Sequence, residues 1–325
     1  MNFDTLKTQF PDTEIYQNHP LAPYTTVKIG GPADIFINTK TSAEFVSVLK
    51  YISEENNFSE HSERSATADP EGSAHRKNLF SNVVILGNGS NVLISDSGIR
   101  GIVIKNSANN IEFLPNNQIK VDSGVQLIQL LQITADHSLS SLEEFAYIPS
   151  SIGGAIFGNI HGVNKNNFDK FVISVEVLDL NNGNCQLLNH SDIQWHYDYS
   201  SLQDQKNLII VSATLQLSTG NPENSKKMIT DIIAKKTLTQ SMNSLGSVFK
   251  NQPGDAAGRI IDQELNLKGF QLGNVQISPK HANFILNLGK ATASDYLSVI
   301  KKVQSAAAAK GFTLEPEIKF LGEFS

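Results

Sequence analysis

The chain has 325 residues, 40% of them hydrophobic and 18% charged, the balance of a water-facing globular protein of two or three domains. Its net charge of −6 argues against a general nucleic-acid grip, which needs clustered Lys and Arg, though a local basic pocket for a small anion stays possible. No apolar run reaches the length of about 18 residues that a membrane span needs, "MNFDTLKTQFPDTEIYQ" lacks signal-peptide texture, and the lone Cys185 suits a reducing compartment.

"TSAEFVSVLKYISEEN" predicts a helix: Thr41 and Glu44 have capping-box spacing, and Phe45, Leu49 and Ile52 form one apolar stripe. Periodicity is then lost over "NFSEHSERSATADPEGSAHRKN", which reads as a solvated, mobile insertion at about residues 54–79. From Val83 the texture is β, with "VVIL", "VLIS", "GIVIK" and "QIKVD" in close succession. "VQLIQLLQITADH" predicts a helix, "IPSSIGGAIFGN" a second glycine-rich loop, and "VISVEVLDL" and "LIIVSATLQL" two further strands. After the turn-rich "LSTGNPENSKK" come three helices: one with Ser225 as N-cap, "DAAGRIIDQELNLKG" ended by Gly269, and one capped by Thr292 and Asp295 and ended by Gly311. "FTLEPEIKFLG" is a closing strand broken by proline. The expected class is α+β, in three parts: 1–80, a small α/β piece carrying the insertion; 81–218, β-rich; and 219–325, α+β.

Two loops carry the chemistry. In "ILGNGSNVLISD" the cluster Gly87, Asn88, Gly89, Ser90 and Asn91 sits between two apolar runs. Val92 stands where a dinucleotide fingerprint needs a third glycine, and a β-branched run follows where a helix should open. Two readings of the loop remain. It is a tight connection with Asn and Gly at left-handed positions, or successive N–H groups form a concave nest for an anion such as a diphosphate. A second Gly-rich stretch, Ile148 to Asn159, suits a long ligand with a diphosphate and a flat ring system. No His, Cys or carboxylate spacing argues for a metal.

In order along the chain, "PLAPYTTVKIGGPADIFI", "LGNGSNVLISDSGIRGIVI", "IPSSIGGAIFGN", "GSVFKN", "AGRIIDQELNLKGFQLGNVQISPKHANFILN" and "LEPEIKFLG" resemble the signatures of the UDP-N-acetylenolpyruvoylglucosamine reductase family, the flavoenzymes of peptidoglycan precursor synthesis. The resemblance covers nearly the whole chain apart from the insertion. It implies an FAD-binding region of the vanillyl-alcohol-oxidase type over 1–218 and a substrate-binding domain over 219–325. It further implies NADPH as co-substrate, a UDP-sugar enolpyruvyl ether as substrate, a cytoplasmic location, and a monomer with no nucleic-acid or membrane partner.

Carried over residue by residue, the resemblance gives Gly87 to Asn91 the FAD diphosphate and places Ile152, Gly153, Gly154 and Asn159 in the second flavin loop. Ser247 matches the proton donor, Glu317 the acid near the substrate carboxylate, and Asn251 and Tyr197 groups that contact substrate. Several positions depart: Ser150 stands where the family pattern has glycine, and Thr237-Leu238-Thr239 where it has Lys-Gln-Pro. "WHYDYS" puts Asp198 where the family pattern has arginine, a charge inversion that Arg259, Lys236 or Lys206 would have to balance. The stretch Asn159-Ile160-His161-Gly162-Val163-Asn164 departs as well. A related flavoprotein with another substrate, and a non-catalytic flavin-binding relative, stay open as readings.

Overall fold

The computed structural model describes residues 3–65, 83–241 and 243–324, with backbone alone for 56–65. Helix α1 (Phe3–Gln9) buries Leu6, and strands β1 (Glu14–Pro20) and β2 (Pro32–Thr39) follow. Helix α2 (Ser42–Ser65) opens as its capping residues require. The Glu44 N–H donates to Thr41 Oγ1 (3.1 Å), and the Glu44 carboxylate accepts from the Lys40 N–H (2.6 Å). It runs on to Ser65, well past the expected end near Asn56, so the first part of the insertion is helical; residues 66–79 of it lie outside the described residues.

Strands β3 (Val83–Leu86), β4 (Val92–Ile94) and β5 (Ile99–Asn106) form from the three β-branched runs, and β3 pairs parallel with β5. The sheet order is β1-β2-β5-β3. A hairpin of β6 (Ile111–Leu114) and β7 (Gln118–Asp122) turns through Asn116 and Asn117, both at positive φ, where asparagine is tolerated. The residues of β6 are half-buried or exposed, so it lacks the alternation that would announce it. Helix α3 (Leu127–Asp136) buries Leu127, Leu130, Leu131 and Thr134, one face at helical spacing.

After the short β8 (Leu139–Ser140), the second glycine-rich stretch departs from expectation. It is helix α4 (Ile152–Gly158), with Ser151 as N-cap and Asn159 in the left-handed C-cap position. Strands β9 (Val172–Asp179), β10 (Asn184–Asn189), β11 (Trp195–His196), β12 (Tyr199–Ser200), β13 (Leu208–Gln216) and β14 (Ser218–Thr219) follow. Five strands make an antiparallel sheet in the order β10-β9-β13-β7-β6.

Helix α5 (Pro222–Thr239) starts one turn earlier than Ser225 suggests, because Asn221 Oδ1 takes the Asn224 N–H (3.0 Å) and caps it. Ser225 is buried and donates instead to Glu143 Oε1 (2.5 Å). The next expected helix is shorter than its pattern: α6 (Ala257–Arg259) passes into a π-turn at Ile260–Glu264. A sheet of β15 (Gln271–Leu272), β16 (Val275–Ile277) and β17 (Ile285–Asn287) precedes α7 (Ala293–Ala308), whose Thr292–Asp295 capping box forms in both directions. Strand β18 (Lys319–Leu321) pairs parallel with β4.

The chain makes two compact units. The first comprises Met1–Gln17, Ile35–Gly87 and Gly101–Ile229; the second comprises Asn18–Asp34, Asn88–Arg100 and Thr230–Ser325. In the first, Phe45, Leu49 and Ile52 of α2 pack on Ile35, Ile37 and Ile104 of the sheet, all 2% exposed or less. The second closes around the face of α7, where Tyr296, Val299 and Val303 meet Leu93, Val248 and Phe249. Each such side chain, fully buried, contributes about 1.5–3 kcal/mol. The Tyr296 hydroxyl, wholly enclosed, donates to Ile285 O (3.2 Å), and burial pushes its ionisation far up.

Candidate active site

The second unit holds the polar loop Asn88–Asn91. Gly89 adopts φ +60, and a side chain there would stand 2.2 Å from Tyr24 O, so only glycine lets the loop lie against the Tyr24–Thr26 backbone. The carbonyls turn inward: Gly89 O accepts from Thr26 N (3.2 Å) and Asn91 O from Lys319 N (2.9 Å). No hydrogen bond among the described residues takes the backbone N–H of Gly89, Ser90 or Asn91. Carbonyls in and amides out is the chemistry of an anion nest, and it fits a diphosphate.

In the first unit, Gly87 leaves no room for a side chain, which would meet Ser151 Oγ at 2.6 Å. Ser151 takes the Gly154 N–H (3.3 Å). The N–H groups of Ile152 and Gly153 go to Val125 O (2.9 Å) and Ser123 O (2.8 Å). These glycines therefore let α4 approach the backbone beyond β7, and the Ile152 and Gly153 amides are committed there. Asn159 is fully buried; its side chain donates to His196 O (2.8 Å) and accepts from Asp169 N (2.9 Å). It ties the β11–β12 hairpin to α4.

That hairpin carries Tyr197 and Asp198 at its turn. Asp198 has φ 53, a conformation that a short polar side chain tolerates better than most. Its Oδ1 lies 2.8 Å from His161 Nδ1, and His161 Nε2 lies 3.0 Å from the Tyr197 hydroxyl. Two of the departures from the family pattern therefore touch each other. His161 escapes a reading of the sequence because its partner is 37 positions away. The one available signal is that both positions leave the pattern in the same chain.

In the second unit, the Ser247–Asn251 segment runs antiparallel to Glu315–Glu317. Glu317 N donates to Val248 O (2.8 Å), Lys250 N donates to Glu315 O (2.9 Å), and Phe249 bridges Pro316. Ser247 and Glu317, both half-buried, are thus brought onto adjoining segments. Asn283 clamps the first of these segments. Its Oδ1 accepts from Phe249 N (2.9 Å), its Nδ2 donates to Phe249 O (2.8 Å), and its carbonyl takes Val248 N (2.9 Å). Asn251 Oδ1 accepts from Ala257 N (3.0 Å) at the start of α6.

Of the cations expected to balance Asp198, Arg259 is already engaged. Asp255 holds it through Nε (2.6 Å) and Nη2, and Glu264 through Nη1 (2.8 Å). His281 sits beside Asn283, accepting its N–H at 3.3 Å. Burial first, then Lys236 and Lys268, hold its imidazole below the ordinary value. Among the described residues no helix is long and apolar enough to cross a membrane, and no group of His, Cys, Asp or Glu could hold a metal ion.

Comparison with known proteins agrees with this geometry. An FAD binding domain model matches residues 74–189, and FAD is the cofactor the polar loop suits. A model of the UDP-N-acetylenolpyruvoylglucosamine reductase C-terminal domain matches residues 237–321. The UDP-N-acetylenolpyruvoylglucosamine reductase of Caldanaerobacter subterraneus subsp. tengcongensis is 34% identical over 323 residues, 98% of each chain. That of Levilactobacillus brevis is 34% identical over 321 residues, 98% of this chain and 96% of the relative. The crystal structure of UDP-N-acetylenolpyruvylglucosamine reductase from Thermus caldophilus superposes with a TM-score of 0.74 at 28% identity, over 96% of this chain and 99% of that one. With its nest, its paired serine and glutamate segments and end-to-end similarity to these proteins, the chain belongs to the UDP-N-acetylenolpyruvoylglucosamine reductase family.

Proposed function

We propose that this chain uses NADPH to reduce the enolpyruvyl ether of UDP-N-acetylglucosamine to UDP-N-acetylmuramate, a step of peptidoglycan precursor synthesis, as a cytoplasmic monomer that binds no nucleic acid. The observation that supports this most is the pairing of the Ser247 and Glu317 segments, in a chain that matches such reductases over 98% of its length. FAD supplies the two-electron reduction of the vinyl group when bound. The backbone N–H groups of Gly89, Ser90 and Asn91 would hold its diphosphate, with Gly87 and Asn88 completing the loop. The Ile152 and Gly153 N–H groups are bonded within the first unit, and Asn159 fixes the hairpin of that unit.

Reduction of a carbon–carbon double bond needs a proton at the second carbon, beside the substrate carboxylate. The Ser247 hydroxyl delivers it there. Glu317 acts as the neutral acid, because two facing carboxylates repel, and donates to the carboxylate as its charge grows. Asn251 has its oxygen engaged by Ala257, so its NH2 is the end a ligand meets. Tyr197, 56% exposed, contacts the substrate through its hydroxyl.

The test is the visible spectrum of the FAD-loaded protein, taken before and after anaerobic NADPH and again after adding the UDP-enolpyruvyl sugar. Bleaching by NADPH and recovery of the yellow form with the sugar are expected, with Ser247→Ala slowing recovery by about 10²–10⁴-fold. No sugar-dependent recovery at any pH at which the protein stays folded overturns the proposal. Asp198 favours a second reading, a related flavoprotein with a neutral or cationic substrate; bleaching without recovery is its signature.

A further inference from the structure

Within the first unit, the turn that carries Tyr197 is held from outside. Strands β11 and β12 are two residues each, paired Trp195 to Ser200 and His196 to Tyr199. A ribbon that short does not keep its own shape. Asp198 adds to the difficulty with its φ of 53, a left-handed backbone that a residue with a Cβ adopts only at a cost. Support comes from the C-terminal end of α4. Phe157 O is one of the last-turn carbonyls that a helix leaves without an internal partner. It accepts from Ser200 Oγ (2.8 Å) and from Gln203 Nε2 (3.0 Å). The C-cap residue Asn159 donates to His196 O (2.8 Å). Gln203 also reaches back to the turn itself, where its Nε2 lies 3.3 Å from Asp198 O. Both of its partners are carbonyls, which only accept, so the NH2 of the carboxamide is the end that faces them.

We infer that Gln203 is a positioning residue for substrate binding, fixing the Tyr197–Asp198 turn against α4 so that the tyrosine hydroxyl is presented to the UDP-sugar. This rests on the reductase reading above, in which Tyr197 contacts that ligand. One carboxamide bonds both sides of the junction, the anchor at Phe157 and the turn at Asp198, and so ties them to each other directly. Ser200 and Asn159 bond the flanks of the hairpin and are fully buried, so they serve the packing of the unit as well as the turn. Gln203 is half-buried, at the end of the single helical turn Ser201–Gln203, and its loss leaves α4 and both strands in place. The turn then samples more orientations. Binding of the sugar has to order it, which weakens affinity, while the reduction proceeds from the bound state as before. The link is hidden in the sequence because 46 positions separate Gln203 from Phe157.

The experiment is a double-mutant cycle on KM and kcat for the UDP-enolpyruvyl sugar in the FAD-loaded protein, with Gln203→Met, Tyr197→Phe and the two combined. Methionine keeps the length of glutamine and donates nothing. Matching flavin spectra and melting temperatures establish that each variant is folded. Gln203→Met is expected to raise KM by about three- to tenfold, the range of one hydrogen bond, with kcat and the rate of bleaching by NADPH little changed. In the Tyr197→Phe background the same substitution should add nothing, because the hydroxyl it positions is gone. Gln203→Lys, whose ammonium can donate to both carbonyls, should return KM toward the wild-type value. An unchanged KM in Gln203→Met, an equal rise in both backgrounds, or a KM in Gln203→Lys as high as in Gln203→Met overturns the inference and leaves the reductase reading standing. A wild-type KM in Tyr197→Phe overturns it too, by removing the contact through which Gln203 acts. Absence of sugar-dependent NADPH oxidation in the wild type removes the reading and the inference with it.

Discussion

Asn283→Ala should unsettle the site from behind. The carboxamide is 3% exposed and makes two hydrogen bonds to Phe249, itself 1% exposed, which lies two residues from Ser247. Alanine leaves the Phe249 N–H and C=O without partners in a place water reaches poorly. Each orphaned group costs about 1–3 kcal/mol, so the pair costs on the order of 2–6 kcal/mol, with water entry pulling the figure toward the lower end. At about 2–4 °C per kcal/mol for a unit of this size, the melting temperature of the second unit falls by about 5–10 °C. Far-UV circular dichroism is the assay, because the lone Trp195 lies in the first unit and its fluorescence reports there. The kcat should drop at least tenfold as the serine loses its fixed backbone. Asn283→Asp is the control: it can still accept from Phe249 N but sets a carboxylate against Phe249 O, so it should also destabilise. A loss below about 1 kcal/mol in Asn283→Ala, with kcat intact, would refute the clamp.

Three further outcomes are expected. Gly89→Ala forces a left-handed alanine, costing about 1–2 kcal/mol, and drives its Cβ to 2.2 Å from Tyr24 O, so the protein should purify with less than half its flavin; full loading would contradict the nest. Asp96→Ala removes the acceptor for Ala293 N (2.7 Å) and Ser294 N (2.9 Å) at the start of α7 and should cost about 1–2 kcal/mol by urea denaturation. Burial works against the Asp96 carboxylate, but the Ser294 side chain and the Ala293 and Ser294 N–H groups outweigh it and hold it below the usual range. Its share of stability is therefore present above about pH 4 and lost as pH falls through the folded value, a dependence that Asp96→Asn should remove. His281 is also depressed in the folded state, so its share is present above about pH 6.5 and lost as pH falls below it; His281→Gln should flatten that window in a pH series of denaturant midpoints.

Local chemistry was readable in the sequence and distant partners were not. Val83–Leu86, Val172–Asp179 and Leu208–Gln216 are β-branched runs bounded by turn residues, and each is a strand. The Thr292–Asp295 box lies within one turn and closes as its spacing requires. Ile152 to Gly158 reads as a loop because glycine is a poor helix former, yet the Ser151 cap and close packing on Ser123 override propensity. Ser225 has the right chemistry for a cap, but Asn221 is better placed, and the hydroxyl serves Glu143 82 positions back. At the site, Ser247, Asn251 and Glu317 are legible only through motif resemblance. Asn283 and His161 act through partners that local sequence cannot name.

Strand β18 finds its partner late. In the described sheets β4 pairs only with β18, and Ser97 Oγ bonds Glu323 O across 226 positions of chain. During synthesis at about 5–20 residues per second, β4 waits on the order of 10–45 seconds with an unsatisfied edge while everything between is made. The segments of the first unit are all complete by Ile229, so it can mature while the second is still an open claim on a strand not yet translated. A nascent chain stalled between those points presents a finished neighbour and a bare parallel edge, the kind of surface that chaperones guard and that other chains invade. Ribosome-bound intermediates halted before residue 319 should be cut by protease within the second unit's early segments while the first unit resists.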